Sequence, residues 1–289
     1  MNPLRSWMFV PAHRQKMIDK SLDLDLDVAI IDLEDGTPTG EKETGRQLVA
    51  EALDRPVGGP LRYVRVNTKA SGLQEGDVRA VTRRGADGIV VPKVESPDDL
   101  KDIIDLLDQE EAGAGLTPLS IGMVAMIESA ASVIRAPEIA SASVRLTALM
   151  FGGEDFALDM GMFSVKGAGG SEQAYARSAV AIAAASRRLV AIDRIYVDFR
   201  NPDGLREDAV RGREFGMSAK SLIHPDQIAI THDVYSPSDE DVAFAREVVE
   251  AVDAAGEDHA GPIGVQGKMV DAPVVERARR ILAMVDGPW

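Results

Sequence analysis

Single carboxylates and cations recur in this chain just past short apolar runs. The acidic cases are Asp32-Leu33-Glu34-Asp35, Ile127-Glu128-Ser129 and Gly152-Gly153-Glu154-Asp155, with Asp198-Phe199-Arg200 further on. Their polar companions are Arg65-Val66-Asn67, Pro92-Lys93 and His224-Pro225. The chain has no Cys and only 4 His. Such a set suits a hard, oxygen-loving cation: Mg²⁺, with Mn²⁺ as a substitute, takes one or two carboxylates and fills its shell with water and substrate oxygens. Glu128 and Asp155, on what read as neighbouring strands, are the pair that fits. Zinc would ask for more histidine. Arg65 is a natural electrophilic partner, because a guanidinium stays charged and offers a fork of donors to a carboxylate or a developing oxyanion. It could instead form a structural ion pair with Glu34 or Asp35, which would also orient it. Any one acid could simply be solvated or cap a helix; the set is what points to a site.

These groups need elements to bring them together. Near-continuous apolar runs mark Trp7–Pro11, Val28–Leu33, Leu61–Val66, Gly88–Val94, Ile121–Ile127, Thr147–Phe151, Arg194–Asp198 and Ala219–Ile223 as strands, the pattern of parallel strands covered on both faces. Helix-compatible segments lie between them: Glu41–Leu53, Pro97–Glu111 with Ser96 as its cap, the Ala-rich Ser171–Leu189, and Asp203–Phe215 after Asn201-Pro202. Eight strands, most followed by a helix, predict an α/β fold, a (β/α)8 TIM barrel over residues 1–232, whose active site gathers at the C-terminal strand ends. An open doubly wound sheet is the alternative. The tail, 233–289, reads as a C-terminal helical extension: a helix over Pro237–Ala255 capped by Ser236 or Ser238, a glycine-bearing loop over Gly256–Met269, and a helix over Ala272–Val285. The run Lys166-Gly167-Ala168-Gly169-Gly170 lacks the spacing of a phosphate loop and reads as a loop near the sixth strand.

The bulk properties narrow the class. The chain has 289 residues, 45% of them hydrophobic, enough for one large barrel with an extension. The net charge of −15 argues against nucleic acid as a partner. No run approaches the ~18 apolar residues of a membrane span, and the first residues lack a signal-peptide core, so a cytoplasmic protein without a membrane partner is expected. The absence of cysteine removes disulfides, thiolate nucleophiles and thiolate metal sites.

An ordered series of motifs carries a resemblance across nearly the whole chain. Arg5-Ser6-Trp7-Met8-Phe9-Val10-Pro11, Asp32-Leu33-Glu34-Asp35 with Glu41-Lys42, Arg65-Val66-Asn67, Val91-Pro92-Lys93-Val94-Glu95-Ser96 and Ile127-Glu128-Ser129-Ala130 are its first half. Phe151-Gly152-Gly153-Glu154-Asp155, Tyr196-Val197-Asp198-Phe199, Lys220 to Gln227, and Gly267-Lys268-Met269-Val270-Asp271-Ala272-Pro273 complete it. The chain thereby resembles the citrate lyase β-subunit-like branch of the HpcH/HpaI aldolases, which includes malyl-CoA and citramalyl-CoA lyases. The resemblance implies a Mg²⁺-dependent carbon–carbon lyase (an oxo-acid-lyase) that cleaves or forms a β-hydroxyacyl-CoA from an acyl-CoA and a small 2-keto acid such as glyoxylate or pyruvate. It implies Glu128 and Asp155 as metal ligands and Arg65 as the residue that binds the acid substrate and stabilises the enolate. It also implies Glu34 and Asp35 beside the substrate, and Asp271 as acid/base. The alternative for Asp271 is a cap on the helix that follows. In those relatives the tail completes a neighbouring subunit's site, which implies a homo-oligomer, a trimer or hexamer. Coenzyme A would need cations against the global charge, and Arg14, Lys20, Lys93 and Lys42 are the candidates.

This chain departs from the family at Ala12, where Gly is frequent, and at Asp35–Pro38, where many relatives have Ala-Val. Both touch substrate choice more than reaction class. Three other readings stay open: an HpcH-type aldolase joining pyruvate to free aldehydes, a citrate lyase β subunit acting on an acyl-carrier protein, and a non-catalytic regulatory barrel.

Overall fold

The structure, a computed structural model, describes residues 4–163, 171–255 and 261–286. The chain divides into two compact units, Leu4–Asp233 and a second built from Val234 onward.

In the first unit eight parallel strands close in chain order, and β8 pairs back to β1. They are β1 (Ser6–Pro11), β2 (Val28–Asp32), β3 (Leu61–Arg65), β4 (Gly88–Val91), β5 (Gly122–Ile127), β6 (Leu146–Phe151), β7 (Val190–Asp193) and β8 (Ala219–Leu222). The helices between and after them are α1 (Gln15–Leu22), α2 (Lys42–Leu53), α3 (Gln74–Val81), α4 (Asp98–Gly113), α5 (Ala130–Ile139), α6 (Gly153–Asp159), α7 (Ala174–Ser186), α8 (Pro202–Glu214) and α9 (Ile228–Tyr235). This is the expected (β/α)8 barrel, and closure excludes the open sheet.

Strand alternation explains why both faces are apolar. Trp7, Val28, Ile30, Tyr63, Val90, Val124, Met126, Ala148, Met150, Ile192 and Ala219 pack inside the barrel. Their neighbours Ala29, Ile31, Val64, Ile89 and Ala125 are equally buried, on the other face of the pleat. Each large aliphatic side chain buried this way stabilises the fold by roughly 1.5–3 kcal/mol.

Two outward positions break the apolar rule. Asp193 of β7 and Lys220 of β8 are fully buried, and they meet Arg177 of α7, Arg194 and Asp208 of α8 in one ion cluster. Lys220 Nζ donates to Asp208 Oδ2 at 2.7 Å and to the Arg194 carbonyl at 2.9 Å. Arg177 Nε donates to Asp193 Oδ1 at 2.9 Å. The Gln173 side chain links Arg194 Nη1 (2.8 Å) to the Gly153 carbonyl (2.7 Å).

Several boundaries differ from those read in the sequence. The seventh strand is Val190–Asp193, and the expected strand Arg194–Asp198 lies beyond it as irregular chain. Ser96 is not the cap of α4: Asp99 accepts the N–H groups of Glu95 and Ser96 instead.

In the second unit, α10 (Asp239–Ala255) and α11 (Ala272–Asp286) pack around Ala245, Val248, Val265, Val270 and Ala278. Ser238 caps α10, accepting the Asp241 N–H at 3.1 Å. The expected loop Gly256–Met269 instead contains an antiparallel hairpin, β9 (Ile263–Val265) and β10 (Lys268–Val270), turning at Gln266-Gly267 with both φ angles positive (48° and 72°). The glycine-rich 166–170 run lies outside the described residues.

Candidate active site

The alternation that fills the barrel also decides what its mouth presents. β2 turns Val28 and Ile30 inward, so Asp32 comes next on that face; β3 turns Tyr63 inward, so Arg65 follows; β5 turns Val124 and Met126 inward, so Glu128 follows just past the strand. All three stand at the C-terminal end of the barrel, where this fold builds active sites.

Asp32 and Arg65 are register partners on adjacent strands. Arg65 Nε and Nη2 donate to the two Asp32 oxygens at 2.7 and 2.6 Å, a bidentate pair, and Nη1 lies 3.1 Å from Glu34 Oε2. The expected ion pair with Glu34 is present, and Asp32, directly across the ladder, takes the fork. Asp32 also accepts the N–H groups of Glu34 (2.9 Å) and Gly36 (2.8 Å). A Cβ at Gly36 would lie 2.3 Å from Asp32 Oδ2, so this close turn requires glycine. The guanidinium rests 4.7 Å above the Phe9 ring. Burial opposes its charge, but Asp32 and Glu34 outweigh that and hold it firmly protonated.

Glu128 is 4% exposed and lies under the loop after β6. A Cβ at Gly152 would come 2.5 Å from its Oε2, so the start of α6, with Glu154 and Asp155 in its first turn, can approach only because residue 152 has no side chain. Ser132 fixes the other side, accepting the Glu128 N–H at 3.0 Å while its own N–H caps onto Ser129. Lys93 has a left-handed backbone (φ 54°) and donates its N–H to Glu128 Oε1 at 2.6 Å. Burial, and then repulsion from Asp155, push the Glu128 carboxyl up to about 7. Burial likewise raises the Glu34 carboxyl. Asp155 makes no hydrogen bond among the described residues and lines the mouth of a cavity of about 420 Å³.

That cavity is lined by the polar residues Asp32, Asp35, Arg65, Glu154 and Asp155 and by the apolar residues Phe9, Met126, Met150, Ile195 and Ile223. The donor set fits a hard divalent cation: two carboxylate groups, one of them pushed toward protonation by burial and then by repulsion from the other, which a cation would relieve. Among the described residues no third His, Cys, Asp or Glu joins them, so further ligands would be water and substrate oxygens.

The remaining expected residues are dispersed. Lys93 Nζ is half-exposed and lies 3.2 Å from Glu34 Oε1, among acids rather than free for an anion. Lys42 Nζ is used by the Leu33 and Glu34 carbonyls, both at 2.7 Å, and so supports the β2 loop. Arg14 is exposed in the β1–α1 loop at the mouth, whereas Lys20 lies in the last turn of α1, below it. Asp271 belongs to the second unit. It stands between β10 and α11, where its carbonyl accepts the Val274 and Val275 N–H groups and its Oδ1 the Val274 N–H at 3.4 Å, the geometry of a helix cap. It also lines that unit's own cavity of about 730 Å³. Three groups were not singled out from sequence: Asp32 as the clamp on Arg65, the Lys93 N–H, and Ser221. The period-two pattern of β2 and β8 carried the signal for Asp32 and Ser221; nothing local announces a left-handed lysine.

Comparison with known proteins finds relatives over nearly the whole chain. Residues 5–225 match the profile of the HpcH/HpaI aldolase/citrate lyase family. Citrate lyase subunit beta of Escherichia coli strain K12 is 37% identical over 98% of this chain and 93% of its own length. Mitochondrial citramalyl-CoA lyase of Homo sapiens is 30% identical over 98% of this chain and 85% of its own. Among solved structures, CitE from Mycobacterium tuberculosis in complex with magnesium, acetoacetate and coenzyme A superposes with a TM-score of 0.79 at 29% identity, covering 97% of both chains.

Proposed function

Starting from the premise that the chain belongs to the HpcH/HpaI aldolase/citrate lyase family, we propose that it is a Mg²⁺-dependent carbon–carbon lyase acting on a β-hydroxyacyl thioester of coenzyme A. The observation that carries this reading is that Asp155 and the clamped Arg65 line one cavity, with Glu128 buried near enough to feel the charge of both.

Glu128 and Asp155 would hold the metal, which when bound supplies Lewis acidity to the keto carbonyl of a 2-oxo acid such as glyoxylate or pyruvate. The chain's own groups do the rest. Arg65 cannot swing away, because Asp32 grips two of its nitrogens, so its charge is preorganised for an oxygen that becomes negative in the transition state. The apolar residues Phe9, Met150, Ile195 and Ile223 line the same cavity and would strengthen that interaction by lowering the local dielectric. In the cleavage direction Asp271, brought by the extension of a neighbouring subunit in a homo-oligomer, returns a proton to the acyl α-carbon. In condensation it removes that proton. Arg14 at the mouth is the cation best placed for the nucleotide end of the thioester.

The test is turnover by the purified full-length protein with Mg²⁺, acetyl-CoA or propionyl-CoA, and glyoxylate or pyruvate, read by mass detection of the β-hydroxyacyl-CoA. Metal-dependent product establishes the class and names the pair; condensation of pyruvate with free aldehydes alone would replace this reading with the aldolase one. The similarity to citrate lyase subunit beta supports a second reading, in which the thioester is borne by an acyl-carrier protein. In that case free CoA esters turn over poorly and the carrier-bound thioester well.

A further inference from the structure

Among the residues that line the cavity is a buried hydroxyl that the reaction scheme does not use. Ser221 lies on β8, two residues past Ala219, whose methyl packs inside the barrel; its neighbour Lys220 points the other way into the ion cluster. Alternation therefore sends Ser221 into the lumen above the packed core, in register with Trp7 of β1. It lines the cavity together with Phe9, Met150, Ile195 and Ile223. The residue is 2% exposed, and its Oγ has no hydrogen-bond partner among the described residues. A buried hydroxyl left unpaired is destabilising, and a packed barrel would be better served by alanine.

We propose that the Ser221 hydroxyl is a substrate-binding group that donates a hydrogen bond to the carbonyl oxygen of the bound thioester. The inference rests on the lyase reading above. It commits to the thioester carbonyl because of the cavity's apolar lining. A carboxylate set against Met150, Ile195 and Ile223 would lose its hydration for a single neutral donor, a poor exchange. A neutral carbonyl needs only one donor, and the apolar surroundings accept the acyl chain and sulfur beside it. The carboxylate of the 2-oxo acid belongs instead with Arg65 and the metal-binding acids.

The experiment deletes each partner in turn. Affinities of acetyl-CoA and of S-ethyl-CoA, which lacks the carbonyl oxygen, are measured by calorimetry on the full-length wild type and on Ser221→Ala, without any 2-oxo acid so that no turnover intervenes. The wild type is expected to favour the thioester by about five- to tenfold, and Ser221→Ala to lower that ratio by about threefold or more. The thermal midpoint of Ser221→Ala should hold or rise, since the hydroxyl it removes has no partner in the free protein. Ser221→Cys, nearly the same shape with a weak donor, gives an intermediate ratio and serves if the alanine variant misfolds. An unchanged ratio in Ser221→Ala, with both ligands bound, would overturn this inference alone, as would a fall in its thermal midpoint showing that the hydroxyl serves the fold. If the wild type binds neither ligand, the CoA-thioester reading falls and the assignment of Ser221 falls with it.

Discussion

Two groups of charges in this barrel, one sealed and one at its mouth, obey opposite rules. Behind β7 and β8, Arg177, Asp193, Arg194, Asp208 and Lys220 are sealed between strand and helix, and every carboxylate faces at least two cations. At the mouth, Glu34, Asp35, Glu128 and Asp155 outnumber the cations near them, Arg65 and Lys93. In the first group the protein has completed its own electrostatics: Asp208 is held far down the acid scale, because Lys220, Arg177 and Arg194 overcome the burial that would raise it. In the second, burial and like charge leave Glu128 near neutrality. Satisfied charges hold a scaffold together; unsatisfied ones beside a cavity await a ligand.

The contrast is broken most sharply by removing one carboxylate from each group. Glu128→Gln should cut metal-dependent turnover by about 10³-fold or more, since the Lewis-acid and orienting contribution is worth several kcal/mol. The same change should leave the metal-free protein as stable as before or, at pH 8, more stable by up to about 3 kcal/mol, because a strained carboxylate has gone. Asp208→Asn should do the reverse. It leaves Lys220, Arg177 and Arg194 short of a counter-charge in a sealed space and should lower stability by roughly 3–5 kcal/mol in urea denaturation. If Asp208→Asn were neutral to stability and Glu128→Gln destabilising, the division between scaffold and site would be wrong.

How much of this contrast can be read from sequence depends on the range of the interaction. The mouth residues were legible because strand ends are local: Glu128, Asp155 and Arg65 each follow an apolar run, and the barrel rule supplies the rest. The ion cluster was not, because Asp193 and Lys220 become partners only after β7 and β8 pair. The seventh strand itself was misplaced. Leu189 had been absorbed into the Ala-rich helix before it, and Ile195-Tyr196-Val197 is as β-prone as Val190-Ala191-Ile192. Short helices such as α3 and α6 gave too few turns for a period to appear. The β9–β10 hairpin did leave a signal, Gln266-Gly267 between short apolar runs, which the surrounding glycines obscured. The site of Asp271 remains a proposal drawn from family resemblance, since within its own unit the residue serves as a helix cap.

A gentler way to sharpen the comparison is to titrate the mouth. The folded pKa of Glu128, about 7, lies above its ordinary 4.5, so the fold favours the protonated form. Below the ordinary value the group costs nothing; as pH rises through 7 its ionisation removes stability, and a cation bound there reverses the loss. A metal that needs the ionised carboxylate must displace a proton below that point. Mg²⁺ should therefore bind about tenfold more weakly at pH 6 than at pH 8, and raise the thermal midpoint correspondingly less. Equal Mg²⁺ effects at the two pH values would mean that Glu128 carries no such strain or does not hold the metal. The Asp208→Asn effect should be the same at the two pH values, since the cations around Asp208 hold its carboxyl far below this range.

The smallest effect isolates the backbone that aims at Glu128. Lys93 occupies the left-handed region at φ 54°, a conformation that costs a side-chain-bearing residue roughly 1–2 kcal/mol. Its N–H reaches Glu128 Oε1, and its half-exposed Nζ reaches Glu34, a pair worth well under ~1 kcal/mol at such exposure. Lys93→Gly removes the ammonium but also the strain, and keeps the N–H. Lys93→Ala removes the ammonium and keeps the strain. Glycine should therefore be the more stable variant by about 1 kcal/mol, the opposite of the usual order of these two residues within regular structure. Both should retain Mg²⁺ affinity close to wild type, because the hydrogen bond that sets the Glu128 oxygen comes from the main chain. A large loss of affinity in both variants would move the Lys93 ammonium itself into the metal site's machinery. Stability of the two in the order alanine over glycine would mean that the left-handed turn is not strained, and that the mouth of the barrel is held as comfortably as the cluster behind it.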